Sequence, residues 1–216
     1  MSFGERAALE GLLAQLKPRL SIEIGTGEGG SLSRIAAHSG FVHAFDLAQP
    51  TESIKTLQNV EFHTGDSHLL LPRLLDGLSR HRHGVDFVLV DGDHSEEGVF
   101  QDINDLLRSR AILDTTILVH DTMNETVRSG LERVIYRQFP KVIYIDLDFV
   151  PGYLVRQGSF AGQLWGGLGV IVVDANREKP PSLETVREQR FYAAFELFRC
   201  ARNILAAPQK PEDRAT

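Results

Sequence analysis

Between residues 5 and 16 the apolar positions Ala8, Leu9, Leu12, Leu13 and Leu16 recur at three- and four-residue spacing, and Pro18 follows as a stop. This pattern predicts an amphipathic helix within residues 1–19. The apolar run 20–24 reads as a buried strand that enters GTGEGG, and 31–38 continues as a helix. The same alternation predicts strands over 41–46, 60–63 and 85–90, helices near 69–78 and 97–107, a strand at 116–119 and a helix near 126–139. Two further β-rich runs, 142–146 and 169–174, are joined through PGYLVRQGSFAGQLWGG without a helical period, so they are expected to pair as an antiparallel hairpin at a sheet edge. Leu183, Val186, Phe191, Phe195 and Phe198 predict a last helix over 182–206, and the polar run 207–216 reads as a tail.

Strand and helix alternate throughout, which defines an α/β class. The expected architecture is a Rossmann-like, seven-stranded, mostly parallel sheet with an antiparallel last strand and helices on both faces. Ligands of such sheets bind beyond the carboxyl ends of the strands, so functional residues should follow strands directly. A chain of 216 residues fits one domain of this kind, expected over 1–206.

Charge narrows the function. Twenty-three Lys and Arg against 29 Asp and Glu give a net charge of -6, the wrong sign for covering nucleic-acid phosphates. The longest apolar runs, such as 87–90 and 169–173, are strand-sized, so no membrane span is expected. The N-terminus mixes charges among its leucines and lacks a secretory layout, which places the protein in the cytoplasm. The lone Cys200 has no partner for an internal disulfide and is given no chemical role. The phenylalanines of the last helix are expected to form a homodimer contact.

Gly25, Gly27 and Gly30, with Thr26 among them, form a G-x-G-x-x-G loop between a strand and a helix, where backbone can approach a cofactor. Asp46 ends the second strand and is placed to accept hydrogen bonds from ribose hydroxyls. Both NAD and S-adenosylmethionine accept that arrangement, and a glycine-rich turn beside a solvated Asp is the purely structural reading. Three features favour S-adenosylmethionine. Glu23 is an acid two positions before the first glycine, where dinucleotide folds are apolar; Asp66 and Ser67 follow the third strand, where adenine could be hydrogen-bonded; and the terminal strand pair ends in WGGLGVIVVD. A nicotinamide-dependent oxidoreductase lacks its Tyr-x-x-x-Lys here, and a non-catalytic cofactor-binding protein of the same fold is the other alternative.

Asp91, Asp93 and His94 follow the fourth strand, and His120 and Asp121 follow the fifth. Adjacent parallel strands would bring these ends together, and converging carboxylates suit a hard divalent cation. EIGTGEGGSLSRIA, FDL, VDFVLVDGDHSEEGVFQDI and ILVHDT together resemble the class I S-adenosylmethionine-dependent methyltransferases of the small-molecule O-methyltransferase type. The resemblance extends over about residues 20–174 and is nearest to the cephalosporin-hydroxylase-like and the sugar or macrolide O-methyltransferase families. It implies S-adenosylmethionine as cofactor, a small hydroxylated molecule as methyl acceptor, and a divalent metal, Mg²⁺ or Mn²⁺, at the residues matching Asp91, His120 and Asp121. Some members carry Glu where this chain has His120, which leaves room for an imidazole-accepting metal or a metal-free enzyme. The structural alternative has Asp91 and Asp93 capping the next helix or binding the methionine amine while His120 packs in the core.

His94, three residues past Asp91, is expected to be the general base, against the reading that it packs beside a helix start. Ser95 reads as the N-cap of that helix, with Glu96 and Glu97 in its first turn. His38, His43, His63, His68, His81 and His83 have no ligand spacing and are expected at the surface. The first helix and the loop 151–166 are the expected lids over the site.

Overall fold

Ser2 starts the first helix, α1 (Phe3–Leu16), through a capping box: its hydroxyl accepts from the Glu5 N–H at 3.4 Å, and the Glu5 carboxylate accepts from the Ser2 N–H. The helix closes on Lys17, whose φ of 48° is left-handed, just before Pro18. The computed structural model describes residues 1–176, which lie within one compact unit, Met1–Lys179. The expected helix 182–206, the tail, Cys200 and the phenylalanines of the dimer expectation lie outside the described residues.

After α1 come β1 (Leu20–Ile24), α2 (Leu32–His38), β2 (Phe41–Asp46), β3 (Val60–Thr64), α3 (Ser67–Arg80), β4 (Phe87–Val90), α4 (Glu96–Arg108), β5 (Asp114–His120) and α5 (Glu125–Arg133). Then follow β6 (Val142–Val150), the two-residue β7 (Tyr153–Leu154) and β8 (Leu164–Trp165), and β9 (Leu168–Asp174). Seven strands form one sheet in the order β3-β2-β1-β4-β5-β9-β6. The first five are parallel, and β9 inserts antiparallel to both β5 and β6, as the sequence predicts.

Both faces are covered, which explains why β4 and most of β1 and β5 are unbroken buried runs. On one face Ile22, Val88, Ile117 and Ile171 pack under α3, α4 and α5 through Leu71, Leu75, Ile103 and Leu131. On the other, Val42, Ala44, Leu89 and Leu118 pack under α1 and α2 through Leu9, Leu13, Leu32 and Ile35. Strand order reverses between β1 and β4, so a crevice opens at their carboxyl ends.

Two local expectations change. The helix expected near 126–139 stops at Arg133: Val134 is extended, and a single 3₁₀ turn, Tyr136–Gln138, leads to Pro140. Phe139, preceding proline, is steered away from the helical region. The connection 151–166 carries its own small hairpin, in which Tyr153 pairs with Trp165 and Leu154 with Leu164. Among the described residues no helix is long and apolar enough to cross a membrane.

Candidate active site

The loop leaving β1 turns on Gly25 (φ 87°), Gly27 (φ 51°) and Gly29 (φ 84°). Gly30, singled out by the sequence motif, has ordinary backbone, and a Cβ there would meet nothing; Gly29, which the motif passes over, is the third glycine the turn requires. A Cβ on Gly25 would stand 2.0 Å from the Asp91 carbonyl oxygen, so the loop crosses directly over the end of β4.

Asp46 shapes this loop. One carboxylate oxygen accepts from the N–H groups of Thr26 (2.9 Å) and Gly27 (2.7 Å), and the other accepts from the Ala48 N–H (2.8 Å). A carboxylate has about four acceptor sites, so one remains for a ribose hydroxyl. Asp66 caps α3 by accepting from the His68 N–H at 2.9 Å. Glu23 is fully buried on β1. Burial pushes its carboxyl well above the ordinary range, against the opposing influence of Ser31. Glu23 stands behind the loop and does not line the cavity in front of it.

That cavity, of about 850 Å³, is lined by Gly25, Thr26, Gly27, Gly30, Asp46, Asp66 and Ser67, and also by Asp91, Asp93 and His94. Met1 and Arg6 of the N-terminal region add to its wall.

The acidic and histidine residues after β4 and β5 do converge. The ligand atoms of Asp91, His120 and Asp121 all lie within 4.8 Å of one another. His120 Nδ1 is 2.9 Å from Asp91 Oδ1 and 3.3 Å from Asp121 Oδ2. Asp121 sits at φ 56°, a left-handed conformation rare outside glycine, and its other oxygen accepts from the Gly166 N–H at 2.7 Å. His94 Nε2 is 3.0 Å from Asp121 Oδ2 and 3.6 Å from Asp91 Oδ1. Asp93 belongs elsewhere: its carboxylate accepts from the Ser95 N–H (2.8 Å) and hydroxyl (2.9 Å) at the start of α4. Ser95 is the N-cap, accepting from the Gly98 N–H at 3.0 Å.

Glu5 is the residue that sequence reading missed. It reaches from α1 to within 3.3 Å of His120 Nε2, and its second oxygen accepts from the Gly167 N–H at 2.6 Å. The Ser-x-x-Glu spacing was the available signal, although it points only to a helix cap.

Electrostatics follow from this packing. Burial favours a neutral His120, but its hydrogen bonds to Asp121, Asp91 and Glu5 outweigh burial and raise it to about 11. Burial likewise pushes Glu5 up, yet His120 and the Gly167 N–H win and hold it at about 2. Asp91 and Asp121 are held below the usual carboxylate range by both histidines, against burial. The carboxylates of Asp121 and Asp91, which face the His94 ring nitrogen, raise His94 to about 9.

The other histidines divide. His81 and His83 are exposed as expected, whereas His43 is buried, and His63 and His68 are half-buried. His68 stands 3.5 Å from the fully buried Asp102, whose carboxyl burial pushes up to about 7 against the opposing His68.

Sheet order, a glycine loop after β1, and the antiparallel β9 define the class I methyltransferase fold. Residues 22–122 match the family model described as a methyltransferase domain. No curated protein matches the chain. An O-methyltransferase from Bacillus cereus, in complex with SAH, shares the fold with a TM-score of 0.60 and 18% identity over 81% of this chain and 82% of its own. The O-methyltransferase TomG from Streptomyces achromogenes, involved in tomaymycin synthesis and in complex with SAM, matches at 0.57 and 17% over 81% of each chain. The MycE methyltransferase of the mycinamycin pathway, in complex with Mg, SAH and mycinamycin VI, matches at 0.55 and 13% over 82% of this chain and 51% of its own.

Proposed function

We propose that the protein transfers the methyl group of S-adenosylmethionine to a hydroxyl of a small molecule, with His94 as general base and Asp91, His120 and Asp121 as ligands of a divalent cation. The observation that carries this reading is that one cavity is walled both by the glycine loop with Asp46 and Asp66 and by Asp91 with His94. Asp91 and His94 thus stand in the wall of the proposed cofactor pocket, while their partners His120 and Asp121 do not line it. The fold shared with enzymes whose structures hold SAM, SAH or Mg supports the reading.

The donor set fits Mg²⁺, and Mn²⁺ more readily because one donor is an imidazole nitrogen. A cation bound there would lower the pKa of the acceptor hydroxyl. His94 is raised to about 9 because it faces two carboxylates, so it holds a proton at pH 7. A cation held by Asp91 and Asp121 would offset their charge and favour the neutral imidazole. In its neutral form His94 takes the hydroxyl proton as the oxygen–carbon bond forms, the sulfur–carbon bond breaks and the demethylated cofactor leaves. Alignment is the rest of the task. Trp165 lies edge-on to His94 with ring centroids 5.9 Å apart, and Phe160 lies 5.0 Å from Trp165, giving an apolar wall suited to a ring-bearing acceptor of natural-product type.

Incubation with S-adenosylmethionine and a panel of hydroxylated metabolites, read by mass spectrometry, should show a one-methyl mass gain. Calorimetry should give heat with SAH and none with NAD; the reverse would sink the reading. His94→Ala should keep fold and cofactor affinity while losing roughly 10²- to 10⁴-fold in turnover, the usual share of a positioned base. Unchanged turnover removes His94 from the mechanism. A metal-free version of the same transfer is favoured by one contact set, His120 paired with three carboxylates, which already offsets part of the cluster's charge. Full activity after exhaustive chelation would select it.

A further inference from the structure

Away from the cavity's acidic cluster, the edge of the sheet carries a second convergence of side chains. Strands β2 and β3 run parallel with His43 opposite Glu61 and Phe45 opposite His63. Residues two apart on a strand share a face, so His43, Glu61 and His63 all point to one side of the sheet. His43 Nδ1 is 3.0 Å from His63 Nε2, and the Glu61 carboxylate oxygens stand 3.6 Å from His43 Nδ1 and 3.7 Å from His63 Nε2. One ligand atom from each lies within 4.8 Å of the others.

We propose that His43, Glu61 and His63 form a second metal site, one for Zn²⁺ or a similar imidazole-binding transition ion. Zinc holds imidazole nitrogen at about 2.0–2.1 Å and carboxylate oxygen at about 2.0–2.2 Å in a tetrahedron, so neighbouring donor atoms are about 3.4 Å apart. The 3.0 Å between the imidazole nitrogens and the 3.6 and 3.7 Å to the two Glu61 oxygens scatter around that edge length, and a turn of the exposed Glu61 carboxylate would bring one oxygen toward both rings. Two His and one carboxylate leave the fourth position open, and Glu61, the exposed member, marks the solvent side.

The imidazoles are held in place by their neighbours. Phe45 stacks on His63 with centroids 4.5 Å apart and planes at 17°, and Phe41 meets His43 edge-on at 5.2 Å. Burial pushes both His43 and His63 below the ordinary histidine value, so both are neutral at pH 7, the form that ligates metal. The donor set also separates the two sites by chemistry: two imidazoles and one carboxylate favour Zn²⁺, whereas two carboxylates and one imidazole suit harder ions. Bound metal would tie the edge strand β3 to β2. His63 precedes by three residues Asp66, on the cofactor cavity wall, so the clip would stiffen that wall.

The alternative for the same geometry is a plain N–H···N hydrogen bond between the two rings. Zinc titration of the full chain at pH 7 against a chromophoric chelator distinguishes them. In the Asp121→Asn background, which removes a ligand of the first site, the chain should bind one equivalent that adding His63→Gln abolishes. Glu61→Gln, at an exposed side chain, should weaken that equivalent by more than the roughly 10- to 100-fold that loss of an outer-shell partner costs. Cobalt bound to the same equivalent should give the intense visible absorption of a tetrahedral centre, absent in His63→Gln. Melting curves without metal show whether each variant is folded, and in the Asp121→Asn background zinc should raise the midpoint unless His63→Gln is added. In that background, a zinc equivalent that survives His63→Gln and Glu61→Gln, or no equivalent at all, overturns the proposal.

Discussion

Asp46 holds three backbone N–H groups, two of them in the glycine loop, before any ligand arrives. On the proposed reading its loss acts twice, on ribose recognition and on the shape of the loop. Asp46→Ala is expected to weaken SAH binding by about 1.5–3 kcal/mol, the range for hydrogen bonds to a charged group, with the deficit visible in calorimetry. A variant of unchanged affinity would show that the carboxylate neither contacts the cofactor nor organises the loop. Glu5 shows the same economy of a single side chain, since one carboxylate caps α1, accepts from Gly167 and pairs with His120. No pattern in the sequence reveals this, because the partners are 115 and 162 positions away.

At the scale of elements, α4 and α5 meet at Gly130, where a Cβ would fall 2.5 Å from the Glu96 carbonyl oxygen and 3.1 Å from Val99 Cβ. Backbone is the nearest atom, so little can give way. Gly130→Ala should destabilise the fold by about 1–3 kcal/mol, the usual cost of overpacking, read as a lower urea midpoint with unchanged slope. Elements of this length were legible in the sequence because a buried sheet imposes continuous apolar runs, as in Phe87–Val90, and covering helices impose a three-four period, as in α4. The 3₁₀ turn at Tyr136–Gln138 and the two-residue strands β7 and β8 were not, since each is too short to show a period. In the candidate site, Asp91, His94, His120 and Asp121 could be picked out because all lie at or just after a strand end. Glu5, Gly29 and the Phe160–Trp165 pair could not, because tertiary packing alone puts them there.

For the whole molecule, the buried ion pairs make stability depend on pH when no cation is bound. His120 is raised from 6.5 to about 11, so its contribution is complete below about pH 6.5 and is lost as pH climbs toward 11. Glu5 is lowered from 4.5 to about 2, so its contribution is complete above about pH 4.5 and is lost as pH falls toward 2. Both are present between about pH 4.5 and 6.5, where these groups stabilise the metal-free protein most. Urea denaturation with chelator present should show His120→Asn losing its disadvantage to wild type as pH rises from about 6.5. A deficit that stays constant up to pH 10 would mean that His120 is not the ionised partner.

The position of Met1 in the cavity wall, four residues ahead of Glu5, has a practical side. Any chain fused ahead of Met1 emerges beside the mouth through which cofactor and acceptor must pass. A purification handle there would crowd that mouth and add its own histidines to a neighbourhood already rich in metal donors. Activity and metal-binding assays are therefore best run on protein carrying its handle after Thr216, or with an N-terminal handle removed.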